Sequence, residues 1–106
     1  MIKATFCYRA NTPIGFQVTG HSGTAEFGKD IVCAAVTSAV MFAVNTITET
    51  FGAKATVTVG KNSVFVEKCE DPNGQKIIGA LKDHLAVIQT DYPGALNIRI
   101  ITETEE

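Results

Sequence analysis

Residues 2–19, IKATFCYRANTPIGFQVT, decide the fold. Ile2, Ala4, Phe6 and Tyr8 alternate with Lys3, Thr5, Cys7 and Arg9, the period-two pattern of a strand with one buried face. Asn11-Thr12-Pro13 breaks it, and Ile14, Phe16 and Val18 resume it with Gly15, Gln17 and Thr19 between them. Two such runs joined by a short polar break form an antiparallel hairpin. Gly20 ends the second run.

The period then changes. Residues 20–29 are rich in Gly, Ser and Thr and have none, the pattern of a mobile loop. From Ile31 to Phe51 there is neither Gly nor Pro, and Val32, Val36, Val40, Val44 and Ile47 recur at helical spacing, with Asp30 placed to cap the start and Gly52 to stop the end. Ala34, Ala35, Ala39, Met41, Phe42 and Ala43 spread apolar character well beyond one stripe. Such a helix needs cover on a second side, from another helix or a second subunit.

A second hairpin follows, with Ala55, Val57 and Val59, the turn Gly60-Lys61-Asn62, then Val64 to Glu67. Asp71-Pro72-Asn73-Gly74 reads as a break before a shorter amphipathic helix marked by Ile77, Ile78, Leu81, Leu85 and Ile88. Tyr92-Pro93-Gly94 closes that helix, and Leu96, Ile98 and Ile100 form a last strand before a frayed TETEE tail. The order ββαββαβ predicts a single α+β domain over residues 1–106, a layered sandwich of a mostly antiparallel sheet and two helices.

Composition narrows the function. A chain of 106 residues holds one core, and its uninterrupted apolar runs are a few residues long against the ~18 of a membrane span. The opening MIKATFCYRA alternates where a signal peptide would be continuously apolar. A cytoplasmic protein without a membrane partner is the expectation. A net charge of −2 with scattered basic residues argues against direct nucleic-acid binding. Cys7, Cys33 and Cys69 are odd in number and widely separated, which disfavours a disulfide framework or a zinc ribbon, so no metal or cofactor is expected.

The chemistry, if there is any, gathers at His21 and Cys33. With the helix starting at Asp30, Cys33 falls in the first turn, where unpaired N–H groups and the macrodipole favour a thiolate. His21, at the end of the preceding strand, is a candidate base, and the N–H groups of the helix start are candidates for an oxyanion site. The bland reading stands beside this one: a lone Cys on an Ala- and Val-rich helix is by default packing. Asp30 has three competing roles: N-cap, orienting group for His21, or metal ligand, the last without a second ligand at suitable spacing. Thr37, one turn after Cys33, either hydrogen-bonds near the site or bonds back to its helix. Cys7 and Cys69 read as structural, and His84, beside Lys82 and Asp83, as solvent-exposed.

Residues 20–40, GHSGTAEFGKDIVCAAVTSAV, resemble the signature of the ribosomal-processing cysteine proteases, the Prp family. Gly20-His21, Gly28 and Asp30-Ile31-Val32-Cys33-Ala34-Ala35-Val36 carry the match, and the opening Ile2-Lys3-Ala4-Thr5-Phe6 and late Asp91-Tyr92-Pro93 extend it. The resemblance implies a small α/β dimer that removes a short N-terminal extension, after aromatic residues, from large-subunit ribosomal protein L-twenty-seven. It implies Cys33 as nucleophile and His21 as general base and acid, with Gly20, Asp30 and Thr37 in supporting positions. The reading from another class is a non-enzymatic, ribosome-associated module that grips an apolar peptide without cutting it.

Overall fold

A computed structural model describes residues 1–20 and 29–103, with the side chains of Lys29 and Asp30 left aside. The first hairpin forms as its alternation requires. β1 (Ile2–Arg9) pairs antiparallel with β2 (Thr12–Thr19), setting Phe6 opposite Phe16 and Ala4 opposite Val18, and a bulge lies at Cys7/Tyr8. β3 (Thr56–Val59) and β4 (Ser63–Glu67) form the second hairpin, and β4 joins β2. β5 (Leu96–Thr102) crosses to the far side of β1 and runs parallel to it. The sheet order is β3-β4-β2-β1-β5, and three of its four pairings are antiparallel.

One face of this sheet carries the core. Ile2, Ala4, Phe6, Phe16, Val18 and Val66 are buried on it, while Lys3 and Gln17 of the opposite face are exposed. α1 (Lys29–Asn45) lays Val32, Val36, Val40 and Val44 against the buried face, and a π-helical turn (Thr46–Thr50) continues the row with Ile47. By length and composition Ile31–Thr50 would also suffice to cross a membrane. Here its valines are core beneath the sheet. α2 (Pro72–Asp91) packs beside α1 and buries Ile78, Leu81 and Leu85 in the same cluster. The cover that the apolar breadth of α1 demanded thus comes in part from α2, and Ile31 and Phe42 stay 55% and 74% exposed.

Two helix starts differ from expectation. α2 begins at Pro72, so Asp71-Pro72-Asn73-Gly74 is no break. Asp71 is the N-cap, its Oδ1 accepting the N–H groups of Asn73 (2.8 Å) and Gly74 (3.4 Å), and Pro72 occupies the first turn, where its missing N–H costs nothing. α1 takes in Lys29 and Asp30, so Asp30 lies inside the helix instead of ahead of it as a cap. The frayed tail expected at residues 102–106 lies outside the described residues from 104 on, and its first two residues are placed.

Gly74 explains why a turn-like tetrapeptide opens a helix. A Cβ built there would sit 2.5 Å from the Sγ of fully buried Cys69 and 3.5 Å from Ala53 and Ile47. The glycine is a packing requirement. Gly74→Ala therefore sets a helix-propensity gain of up to about 1 kcal/mol against an overpacking cost of about 1–3 kcal/mol. We expect net destabilisation, read as a lower urea midpoint at unchanged slope; a higher midpoint would show that the core has room.

Candidate functional site

Cys33 owes its position to the residue before it. Val32 is buried at the sheet, and a helix turns about 100° per residue, so Cys33 falls on the border of the buried stripe. It is half-buried and packs against the core cluster. Thr37 and Met41 follow at successive turns on the same face, Thr37 exposed and Met41 half-buried. Since α1 already includes Lys29, Cys33 is its fifth residue, and an amide at that depth has an intrahelical acceptor. The Cys33 N–H is thereby withdrawn from the oxyanion role considered for it. Its side chain, as in every helix, leans back towards the N-terminus and so lies over the first turn.

Gly20 closes β2 and is the last described residue before the candidate base. Its φ is +89°, a left-handed conformation open to glycine at little cost, and a Cβ there would meet the Met1 carbonyl oxygen at 2.6 Å. Its N–H donates to the Asn62 carbonyl oxygen at 3.3 Å. The point at which the chain leaves the sheet is thus fixed by the first residue on one side and the β3–β4 turn on the other. His21 itself, with Gly28 and the loop through Gly28, lies outside the described residues, as does the side chain of Asp30. The structure accordingly places Cys33, Gly20 and Thr37, and leaves the approach of His21 to Cys33 outside what it describes.

Between these two elements lies a cleft that the sequence did not single out. It is formed by Val18 and Thr19 at the end of β2, Val64 on β4, and Val40, Thr37 and Met41 on α1, and it encloses about 30 Å³. Among the described residues, none that lines it is charged. The signal was present in two separate periods: Val18 and Val64 face the helices by strand alternation, and Thr37 and Met41 follow Cys33 at i+4 and i+8.

The other thiols are set apart by environment, and the three cysteines form no disulfide. Burial pushes the Cys7 thiol above its ordinary value, with Glu103 adding to the effect. Burial likewise raises Cys69, whose residue exposure is 0%. Both shifts disfavour the thiolate, in keeping with a structural reading. His84 is exposed on α2, at the mouth of an apolar groove between α1 and α2 that also contains Phe42. Among the described residues no three His, Cys, Asp or Glu side chains cluster as a metal site would require.

Comparison with known proteins shows the family and the fold. The family described as cysteine protease Prp matches residues 1–97. A curated relative, the ribosomal processing cysteine protease Prp of Bacillus subtilis (strain 168), is 32% identical over 111 residues, covering 96% of this chain and 97% of its own. A crystal structure from Streptococcus mutans superposes with a TM-score of 0.86 at 24% identity, over 97% of this chain and 99% of that one. The essential ribosomal processing protease Prp from S. aureus, in complex with a substrate peptide, gives 0.83 at 19% identity, over 97% and 100%. At those identities the two structures speak to the fold.

The environments of the thiols predict their order of reaction. At pH 7, iodoacetamide should modify Cys33 in the native protein before Cys7 and Cys69, and unfolding in urea should bring the three to similar rates, as followed by peptide mass mapping. Native labelling of Cys69 ahead of Cys33 would contradict the assigned burial.

Proposed function

We propose, for a chain that belongs to the cysteine protease Prp family and is thus a protease, that Cys33 is its nucleophile and His21 its general base and acid. The observation that carries the reading is the place of Cys33: half-buried at the border of the α1 stripe and one turn before Thr37, which with Thr19 at the end of β2 lines an apolar cleft. In this mechanism His21 takes the thiol proton and the Cys33 sulfur attacks the scissile carbonyl carbon, giving a tetrahedral oxyanion. Collapse breaks the C–N bond as His21 returns the proton to the leaving amine. Water, deprotonated by His21, then hydrolyses the thioester and restores the thiol. With the Cys33 amide engaged in the helix, the oxyanion donors belong to the chain ahead of Lys29 or to side chains near it. Gly20 anchors the base-bearing strand end, and Thr37 stands beside the path of the substrate. Asp30 acts as an orienting group or through its first-turn charge, the capping role having been removed by the helix start.

The substrate in this reading is the N-terminal extension of a large-subunit ribosomal protein, L-twenty-seven, cleaved in the cytoplasm. Support comes from the Bacillus relative, a ribosomal processing protease, and from the sequence signature around Cys33. The test is incubation with the precursor, read by intact mass. Loss of the extension is expected from the native protein. Cys33→Ala should lower the rate by at least about 10³-fold and His21→Ala by about 10²–10⁴-fold, with the fold intact in both. Peptide binding without cleavage by the native protein would instead establish the non-enzymatic peptide-gripping reading.

The active species is a homodimer that covers the exposed face of α1. Ile31 and Phe42 stand out from it, and Ala35 and Ala39 line the groove against Ile77 and Ala80 of α2. An apolar surface of this breadth on a small domain marks an interaction site. Light scattering should give twice the 11.3 kDa chain mass, and Phe42→Asp should bring it to the monomer value. A native monomer would refute the dimer and leave the Cys33 assignment untouched.

A further inference from the structure

The β3–β4 hairpin leaves one row of main-chain groups unused. The Gly60 N–H donates to the Ser63 carbonyl oxygen at 2.8 Å, and the paired positions run from there through Val59↔Val64, Thr58↔Phe65 and Val57↔Val66 to Thr56↔Glu67. In an antiparallel ladder, pairs that exchange hydrogen bonds alternate with pairs that do not. Gly60, Thr58 and Thr56 therefore spend their N–H and C=O groups on β4, while those of Val57 and Val59 point outwards. β3 stands at the end of the sheet order, and among the described residues no strand pairs with its outer side. Edges are commonly blunted by a charge or a proline, and Thr56–Val59 has neither. Its far end adjoins the candidate site. Val59 lies opposite Val64, which shares a cleft with Thr37, one turn beyond Cys33. The turn after Val59 carries Asn62, whose carbonyl oxygen accepts the Gly20 N–H just before His21.

We infer that the outer edge of β3 takes up the main chain of the substrate as an added strand, with the N–H and C=O groups of Val57 and Val59 as its partners. The inference rests on the protease reading given above and deepens it by naming what holds the peptide whatever its side chains. An extended polypeptide is the ligand that matches the edge. Its N–H and C=O groups recur on one side about every 7 Å, two residues at about 3.4 Å each, which is also the spacing from Val57 to Val59. Such addition of a strand to a free edge is a general mode of peptide recognition. A second copy of this chain matches less well. Lys54 and Lys61 bracket β3, and no acidic residue lies between Glu49 and Glu67. Two β3 edges paired about a two-fold axis would therefore set lysines beside lysines, and like charges facing each other across a sheet are destabilising. A peptide substrate brings no such lysine pair of necessity.

The test is an N-methyl scan. Synthetic precursor peptides spanning the cut carry one main-chain N-methyl group at each residue in turn, from the third residue outward on either side of the scissile bond. Cleavage by the native protein is followed by mass spectrometry as kcat/KM. N-methylation removes one donor and puts a methyl group where the edge must approach. Two residues, two positions apart, should each lose about 10-fold or more, and the residue between them little. Val59→Pro removes one outward donor at an edge position where proline is tolerated. It should lower kcat/KM on the unmodified peptide by about 10-fold, chiefly through KM, while iodoacetamide modifies Cys33 at the native rate. Losses without alternation, or native kcat/KM in a folded Val59→Pro variant, would overturn the added strand while sparing the protease reading. A lower oligomeric mass of Val59→Pro in light scattering would give the edge to a second copy and overturn it as well. Absence of Cys33-dependent cleavage of any peptide would strike the protease reading, and this inference with it. Should Val59→Pro fail to fold, as judged by its urea transition, the scan on the native protein decides the matter alone.

Discussion

The seating of the Val32, Val36, Val40 and Val44 row on the buried face of the sheet is the contact on which the rest of the molecule depends. Each of these side chains is at most 5% exposed, and burial of a valine contributes on the order of 1.5–3 kcal/mol. Four of them together amount to a large fraction of the 5–15 kcal/mol by which a small domain is stable at all. That row fixes the rotation of α1 about its own axis. Once it is fixed, Cys33, Thr37 and Met41 must fall on the border facing the end of β2, while Phe42 must point away from the sheet. The site is a by-product of a packing decision made by its neighbours.

The same decision explains which parts of the structure were legible in the sequence. Strand alternation and helical spacing are read directly from apolar periods, so both hairpins, the α1 row and β5 emerged as elements, although Val59 and Ile100, on the two edge strands, stay 59% and 57% exposed. The start of α2 was misread because Asp-Pro-Asn-Gly serves equally as a turn and as a cap followed by a first helical turn; only the presence of Cys69 against Gly74 distinguishes them, and that contact is tertiary. The start of α1 was displaced for a related reason. Asp30 is a good cap by type, yet the helix includes it.

The partner of β5 was likewise invisible to periodicity. Its alternation says which face is buried and nothing about which strand it joins. The α2 crossover returns the chain to the far side of β1, where Ile2 to Tyr8 align with Leu96 to Thr102 in parallel register. The cleft beside Cys33 escaped notice because it is assembled from two periods belonging to segments more than fifteen residues apart in the chain, Val18 and Thr19 against Thr37 and Met41. His21 and Cys33 were singled out by the resemblance of residues 20–40 to the Prp signature, since by residue type alone a lone Cys on an Ala- and Val-rich helix reads as packing.

The depth of Cys33 within α1 has a consequence for the chemistry. An amide in the fifth helical position spends its hydrogen bond inside the helix, whereas a side chain in that position projects back over the first turn. In the mechanism proposed above, attack and oxyanion stabilisation are therefore divided between different parts of the chain. The sulfur is carried by a helix locked to the core, and the first-turn donors lie upstream of it, towards the segment that begins at Gly20. Gly20 holds the origin of that segment against Met1 and Asn62.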